Sequence, residues 1–538
     1  MVCWAKHLLL VFANILRVEL ALTHRKPSIV ATKIFLGVLL LLLAWAPALT
    51  WWGDGKEACQ AAHTLVKSGK ALTSDPQGQV MASIRPLLFT LSCLPTATLL
   101  PLPDPDESPV VRLARALPPA IFGAGCAAIF FLILLQMFVP ERFAATLSIA
   151  LVFSTPLWIY SRIHYSEGLQ TFINLCLFYF LMRSKQNTRC TIIIGFLVGM
   201  LINLRTTNVI IIPFVLAFQA INDDVPWWHR FRSWAWTLAG LGPWVLAWLG
   251  FNHLRFGSYW ITGYEAYSVW RNPLTGLFGQ LFSPGKSIFL YAPITIAGAL
   301  FFIRRLARFQ GATRLEKKEF LVACFFLSNL ILYSSWWAWG GGWAWGPRFL
   351  VPFMPLMLLP LAEYAAIAKP TRALYASIAG LTAAGVVVQF PVTIVGIHQL
   401  LQFLGLIDRA AFGTQAVYGT TSEEMIFSTF IPEFSPIFMQ IKLLAAMILN
   451  PEHASIDFSH WTGDQGPYRV PGFSGRVVEF DALQPDLWFW TTGQDPNSWL
   501  FFAGALALAV TGAAILASVF RPESGKVQSS PWARTPAS

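Results

Sequence analysis

Long apolar runs separated by short polar stretches dominate the pattern of this chain. Runs such as residues 30–52, 117–139, 373–399 and 499–520 are close to the ~20 residues that a helix needs to cross a bilayer. About 12 such runs fit along the chain. A soluble protein with that many apolar helices could not bury them all from water and would aggregate. The pattern therefore predicts an all-α polytopic membrane protein with about 12 transmembrane segments.

The spacing of the runs predicts a transmembrane core with long outer loops. A helix on the inner surface is predicted at the N-terminus, because charged residues interrupt apolar ones there and no cleavage site follows. The predicted units are this helix (1–29), the core (30–399) with outer loops 53–116, 253–287 and 338–348, an outer (periplasmic) region (400–498), the last transmembrane helix (499–520) and a cytoplasmic tail (521–538).

One apolar run has the wrong length. Residues 191–219 are too long for one ordinary span and too short for two, and the middle of the run is polar, from Asn203 to Asn208. Two short helices that meet at a polar break satisfy both facts. Such a break is tolerated where protein covers it or water reaches it.

Charge supports the membrane interpretation and fixes an orientation. Only 12% of residues are charged, about half of the roughly 25% in soluble domains, and the net charge is +11. Basic residues gather in short predicted inner segments, for example 183–189 and 304–318. This positive-inside bias places both termini in the cytoplasm and explains the basic balance without nucleic acid. The sequence contains no N-glycosylation sequon, which favours a bacterial inner membrane.

The seven cysteines show no metal-binding spacing. Cys59 and Cys93 share the first outer loop, and no CxxC or Cys/His motif occurs anywhere. A Cys59–Cys93 disulfide and two free thiols are both compatible with the sequence. The cysteines therefore predict no metal site, and no cofactor is expected.

The first candidate for chemistry lies where the first span meets the outer surface. Asp54 and Glu57 follow two tryptophans there. A carboxylate that is partly desolvated by aromatic neighbours can act as a general base. The alternative is a solvated helix start in which Asp54 is the cap. Asp54 with Glu57 or Glu167 also remains open as an oxygen-ligand metal site.

Three other outer segments carry charged groups at the edge of the apolar zone. His164 and Glu167 lie in a very short turn, where helix capping and an Arg162–Glu167 ion pair are the alternatives to a functional role. Lys286 follows Ser-Pro-Gly, which fails the P-loop pattern but could contact phosphate. Trp343 and Arg348 belong to a turn with five tryptophans in ten residues, which suits sugar stacking and phosphate recognition or, alternatively, an interfacial anchor.

The order of these motifs resembles the GT-C membrane glycosyltransferases, in particular bacterial relatives of protein O-mannosyltransferases and of the lipid A aminoarabinose transferase. Their first outer loop carries Gly-Asp followed by spaced Ala, Leu and Gly, and this chain has Gly53-Asp54, Ala62, Leu65 and Gly69. The resemblance covers about residues 30 to 370. It departs at Gly55, where relatives often have a second acid.

The resemblance implies an inverting transfer of sugar from a polyprenyl-phosphate donor to a lipid, glycan or protein acceptor on the outer face. Asp54 and Glu57 would be the catalytic residues. Neither a cofactor nor nucleic acid is implied. The implied substrate-binding residues are Arg348, Lys286, Arg205, Glu167, His164, Tyr264 and Trp343.

Two other classes compete with this interpretation. Transporters and lipid-linked-sugar flippases place ionisable residues at mid-membrane and often contain inverted repeats. Here the polar groups gather at the outer ends of the spans, and no repeat is visible. A non-catalytic membrane scaffold is the third class, and its function would be indifferent to Asp54→Asn.

Overall fold

A computed structural model describes most of the chain. The described residues are 25–50, 53–74, 79–100, 107–183, 187–222, 227–265, 268–307, 314–342, 344–368, 370–396, 426–449, 453–457, 477–481, 485–490 and 498–521. The predicted surface helix at 1–29, most of the predicted outer region 400–498 and the predicted tail therefore lie largely outside the described residues.

The first third of the chain contains helices and one small hairpin. Its elements are α1 (Arg25–Ala44), α2 (Gly53–Ser68), β1 (Leu72–Ser74), β2 (Val80–Ala82), α3 (Leu87–Ser92), α4 (Leu94–Leu99), α5 (Pro109–Gln136), α6 (Glu141–Phe153), α7 (Leu157–Tyr160) and α8 (Ser166–Met182).

The rest of the chain continues in the same way. Its elements are α9 (Thr188–Leu204), a 3-10 helix (Thr206–Ile210), α10 (Ile211–Asn222), α11 (Trp227–Phe256), α12 (Pro273–Phe282), α13 (Ile288–Tyr291), α14 (Ile294–Ala307), α15 (Arg314–Ser335), a 3-10 helix (Arg348–Phe353), α16 (Met354–Ile367), α17 (Arg372–Ile394), α18 (Ile426–Phe430), a 3-10 helix (Pro432–Phe434), α19 (Pro436–Leu449), β3 (His453–Asp457), β4 (Val477–Asp481) and α20 (Ser498–Val519).

Six helical segments of the described chain are long and apolar enough to cross a membrane. They are Pro27–Ala44, Pro109–Gln136, Glu316–Ser335, Arg348–Ile367, Arg372–Ile394 and Ser498–Val519. The protein is thus a multi-pass helical membrane protein, and the number of about 12 spans stays a prediction. One reason for the difference is α8, whose 17 residues fall short of the ~20 needed and are buried against other helices along almost the whole helix.

Two hairpins correct the expectation of an all-α chain. β1 pairs antiparallel with β2, with Leu72 opposite Ala82, and β3 pairs with β4, with His453 opposite Asp481. The first hairpin packs beside α2 in the predicted outer loop 53–116. Both hairpins are short additions to a helical fold.

The predicted break in 191–219 is present. α9 ends at Leu204, Arg205 is extended (φ −152°, ψ 123°), and the 3-10 helix leads into α10. The amide of Asn208 donates to the Leu201 carbonyl (2.7 Å) and accepts from Gln170 (2.9 Å). These bonds satisfy polar groups that the broken helix exposes.

A buried arginine joins the turn before α8 to other parts of the fold. Arg162 donates to the carbonyls of Trp45 (2.5 Å) and Thr393 (2.9 Å), close to Asp486. Asp486 accepts from the backbone amides of residues 48 and 49. The alternative of an Arg162–Glu167 ion pair is therefore wrong. Arg162 fixes the turn, and Glu167 has other partners.

Candidate active site

The start of α2 packs closely on the turn that precedes α8. Gly53 has a positive φ of 53°, and a Cβ there would lie 2.3 Å from the Tyr165 hydroxyl. A Cβ on Gly55 would lie 1.9 Å from the carbonyl oxygen of His164. A side chain at position 55 would displace one of these segments. The close packing therefore leaves no room for a side chain at position 55.

Asp54 lies between two arginines. One carboxylate oxygen pairs with Nη2 of Arg348, and the other lies 3.0 Å from Nη2 of Arg85. Its side chain is 23% exposed. Burial alone would raise the pKa of Asp54, but the positive charges of Arg348 and Arg85 hold it well below its usual range. Asp54 is therefore ionised at neutral pH.

Arg85 is a site residue that the sequence did not reveal. Its Nε lies 2.8 Å from a Glu57 oxygen, and its Nη1 donates to the hydroxyl of Tyr264 (3.3 Å). Arg255 supports the segment by donating to the carbonyl of Arg85 (2.8 Å). Burial would lower the pKa of Arg85, but Asp54 and Glu57 raise it above its ordinary value. The only sequence signal is a single arginine before Pro86 in an apolar stretch.

Glu167 connects Arg348 to a third arginine, Arg205. It is fully buried at the start of α8, pairs with Nη2 of Arg205 and lies 3.0 Å from Nε of Arg348. Arg205 also donates to the Ser166 hydroxyl (3.1 Å). We call the resulting group the Arg348 cluster. It contains three carboxylates and three guanidinium groups: Asp54, Glu57, Glu167, Arg85, Arg205 and Arg348.

Aromatic rings line the Arg348 cluster. The Arg348 guanidinium carbon lies 5.3 Å from the Tyr165 ring centre and 5.0 Å from that of Phe349, and Arg205 lies 4.8 Å from Phe349. These distances suit cation–π contacts. Burial and the nearby Asp54 raise the pKa of Tyr165. Tyr165 is thus a neutral hydroxyl beside the carboxylate.

Lys286 points into the tryptophan-rich turn instead of toward the carboxylates. Its Nζ donates to the carbonyls of Gly342 (3.0 Å) and Ala344 (2.7 Å), which flank position 343. Burial, with a contribution from the charge of Arg348, lowers the pKa of Lys286 to about 7. Through its two hydrogen bonds, Lys286 supports the turn that leads into Arg348. Trp343 lies outside the described residues.

The described tryptophans of this turn that are most buried serve packing. The ring of Trp345 is buried, and its Nε1 donates to Gln389 (2.7 Å). Its carbonyl accepts from the hydroxyl of Tyr160 (2.8 Å). Trp339 is also buried, against Gly279. These contacts fix the position of the turn, and sugar stacking by Trp343 stays a prediction.

His164 faces away from the Arg348 cluster. Its Nε2 lies 2.8 Å from the carbonyl oxygen of Arg115, and its Nδ1 lies 4.0 Å from the sulfur of Cys93. The structure thus brings six predicted residues together through contacts of Arg85 and Arg348: Asp54, Glu57, Glu167, Arg205, Arg348 and Tyr264. It leaves His164 behind them and Lys286 beside them.

The comparisons with known proteins give structural neighbours only. No family model matches the chain. No curated protein matches either. The chain is similar in structure to ArnT from Cupriavidus metallidurans in the apo state (TM-score 0.44, 11% identity, 89% of this chain and 75% of that chain). It is similar to the same protein bound to undecaprenyl phosphate (0.43, 11%, 91% and 76%).

A third neighbour is the Archaeoglobus fulgidus oligosaccharyltransferase tethered to an acceptor peptide (TM-score 0.40, 12% identity, 90% of this chain and 68% of that chain).

Proposed function

We propose that the protein is a membrane glycosyltransferase. It transfers a sugar from a polyprenyl-phosphate donor to a lipid, glycan or protein acceptor at the outer face, with inversion at the anomeric carbon. The observation that carries the proposal is the contact of Asp54 with both Arg348 and Arg85 at the start of α2. The cluster joins a carboxylate that can accept a proton to cations that can bind phosphate.

The reaction assigns separate roles to the two kinds of group. The acceptor hydroxyl attacks the anomeric carbon, and its proton passes to Asp54. The bond between that carbon and the phosphate oxygen breaks, and polyprenyl phosphate leaves with the electron pair. The guanidinium groups of Arg348 and Arg205 stabilise the negative charge that develops on the leaving phosphate.

Donor binding would also activate the base. The pairing with Arg348 and Arg85 holds the pKa of Asp54 low, which makes the carboxylate a weak base in the resting state. A phosphate that takes hydrogen bonds from Arg348 competes with Asp54 for the same guanidinium. The pKa of Asp54 then rises toward the ordinary value for Asp of ~3.9, and its basicity increases when the donor is in place.

The assay follows the product that every acceptor would share. The full chain is reconstituted in vesicles with polyprenyl-phosphate sugars and an envelope-lipid and peptide acceptor mixture, and release of polyprenyl phosphate is measured. Asp54→Asn keeps the size of the side chain and removes the base. We expect the rate to fall by about 10²- to 10⁴-fold, the usual range for loss of a general base.

A matched control comes from the neighbouring outer loop. Glu265 accepts hydrogen bonds from the backbone amides of Thr262 and Gly263 and is exposed. Glu265→Gln should therefore transfer sugar at the wild-type rate. Equal rates for wild type and Asp54→Asn would refute the assignment of the base. If donor lipid instead moved across the membrane without release of polyprenyl phosphate, the protein would be a flippase and the transferase proposal would be wrong.

A further inference from the structure

Two cysteines and a histidine meet behind the Arg348 cluster. Cys59 belongs to α2, Cys93 lies between α3 and α4, and His164 is in the turn before α8. All three are buried, and one ligand atom from each lies within 4.8 Å of the others. They are far apart in the sequence, so no local sequence motif predicts the group. The structure thus forms by tertiary contacts what no sequence motif predicts.

The ring of His164 is oriented by a backbone oxygen. A carbonyl can only accept a hydrogen bond, so the contact between Nε2 and the Arg115 carbonyl (2.8 Å) places the proton on Nε2. In the tautomer that carries its proton on Nε2, the lone pair of Nδ1 points toward Cys93, whose sulfur is 4.0 Å away. Histidines that bind metals typically donate their second nitrogen to a carbonyl or carboxylate in this way.

We propose that Cys59, Cys93 and His164 bind a zinc ion. Zinc–sulfur distances of ~2.3 Å and zinc–nitrogen distances of ~2.0 Å place tetrahedral ligand atoms roughly 3.5–3.8 Å apart. The sulfur of Cys93 and Nδ1 of His164 are 4.0 Å apart, and all three ligand atoms lie within 4.8 Å of one another, so zinc binding would shorten these separations by at most about 1.3 Å. The three protein ligands leave one tetrahedral position for a non-protein ligand.

The charge of the ion suits the burial of its ligands. Two thiolates, one neutral imidazole and one divalent cation have a net charge of zero, which lowers the cost of burying the group. A monovalent ion would leave one negative charge uncompensated. A Cys59–Cys93 disulfide is less favoured, because it would use only the two cysteines. Nδ1 of His164 would then point at a sulfur that can no longer bind a metal.

The position of the ion gives it a structural role. Cys59 lies on the same helix as Asp54, and His164 lies on the turn that leads to Glu167. Cys93 follows the short helix after Arg85. One ion would therefore cross-link the three segments that present Asp54, Arg85 and Glu167. The proposal does not depend on the transfer reaction, and metal content is measured without any substrate.

The first test measures metal in the intact protein. The full chain is purified without chelators and without a histidine tag, and its metals are quantified by mass spectrometry. We expect about one zinc per chain, and Cys59→Ser or Cys93→Ser should reduce it at least roughly tenfold. Cys324→Ser is the matched control, because Cys324 lies on α15, outside the three-residue group. It should keep its zinc.

The second test uses the wild-type chain, so it holds even if the serine variants fail to fold. Thiols are alkylated before and after a strong chelator, and the modified peptides are identified by mass spectrometry. We expect Cys59 and Cys93 to react only after the chelator. A disulfide-linked pair of peptides, or alkylation of both thiols without the chelator, would overturn the proposal. So would wild-type protein that contains no zinc and acquires none from added Zn²⁺.

Discussion

A cluster of charged side chains lies at each end of the Arg348–Ile367 segment, and the two clusters differ in how deeply their ion pairs are buried. At its start is the Arg348 cluster, whose central carboxylate, Glu167, is fully buried. At its end, Arg305 pairs with Glu319 (2.5 Å) and Glu363 (3.2 Å), and the Arg305 side chain is 34% exposed. We call this second group the Arg305 cluster. The Arg305 cluster lies beside a large cavity.

That cavity has a volume of about 410 Å³ and a mostly apolar lining, which includes Phe138, Phe178, Arg305, Glu319, Glu363 and Ile367. The contrast teaches that the size of a cavity and the density of buried charge mark different things. Burying charged groups has a high cost in free energy, so a cluster built around the fully buried Glu167 is a stronger sign of function than an apolar cavity beside partly exposed ion pairs.

The comparison is first tested through stability, where we expect the largest effect. Glu167→Gln removes the negative charge that pairs with Arg205 and Arg348 in a buried position, so it should destabilise the fold by about 3–5 kcal/mol. Glu319→Gln removes a carboxylate that is 19% exposed and pairs with the 34% exposed Arg305, so solvent screens part of its charge and the loss should be smaller, about 1 kcal/mol. Thermal unfolding midpoints of the purified variants in detergent measure the difference. Equal shifts would remove the distinction between the clusters.

The second test removes one arginine from each cluster and measures the rate of transfer. Arg348→Ala should reduce release of polyprenyl phosphate by about 10²- to 10³-fold, because it removes a donor that stabilises the leaving phosphate. Arg305→Ala is the matched change and should leave the rate within about twofold of wild type, because it contacts neither Asp54 nor the other cluster. A comparable loss in both variants would assign the reaction elsewhere.

Part of this contrast could be read from the sequence. Apolar length predicted a helical membrane protein, and the polar residues within 191–219 predicted the break at Arg205. Both are local properties of the chain. The two hairpins were missed because strands of three to five residues give a weak local signal.

The contacts of the site were harder to predict. Asp54 and Arg348 are 294 residues apart, and Arg85 and Tyr264 are 179 residues apart. Nothing in the local sequence states which way a side chain on a turn will face. The sequence therefore named His164 with Glu167, although the turn directs them to opposite sides. The order of motifs along the chain, and not any single motif, carried the information about the site.

The third test examines how closely the site is packed. Gly55→Ala places a methyl group 1.9 Å from the His164 carbonyl, so α2 must shift. We expect a loss of about 1–3 kcal/mol in stability from overpacking. The shift of Asp54 should lower the transfer rate by roughly tenfold or more. In Gly380→Ala the added methyl group meets no atom within 4 Å on an exposed face of α17, and should stabilise the helix by up to about 1 kcal/mol. Unchanged stability and rate in Gly55→Ala would show that the contact is unimportant.

The last test concerns pH, where we expect the smallest effect. The arginines of both clusters keep their charge at ordinary pH, whereas Lys286, beside Arg348, has a pKa of about 7 in the folded protein. Its ordinary value is ~10.4. Between these values the unfolded chain binds more protons than the folded chain, so stability should rise with pH above about 7. If the positive charge of Lys286 assists the leaving phosphate, the transfer rate should fall by a few-fold over the same range.

Two variants separate these opposite trends. In Lys286→Met both should disappear, because no group titrates at that position. In Lys286→Arg the guanidinium stays charged, so the rate should lose its decline near pH 7. Rate profiles from pH 6 to about 9 and unfolding midpoints over the same interval provide the readouts. A decline that persists in Lys286→Arg would assign the titration to another group, and Lys286 would then only support the backbone of the tryptophan-rich turn.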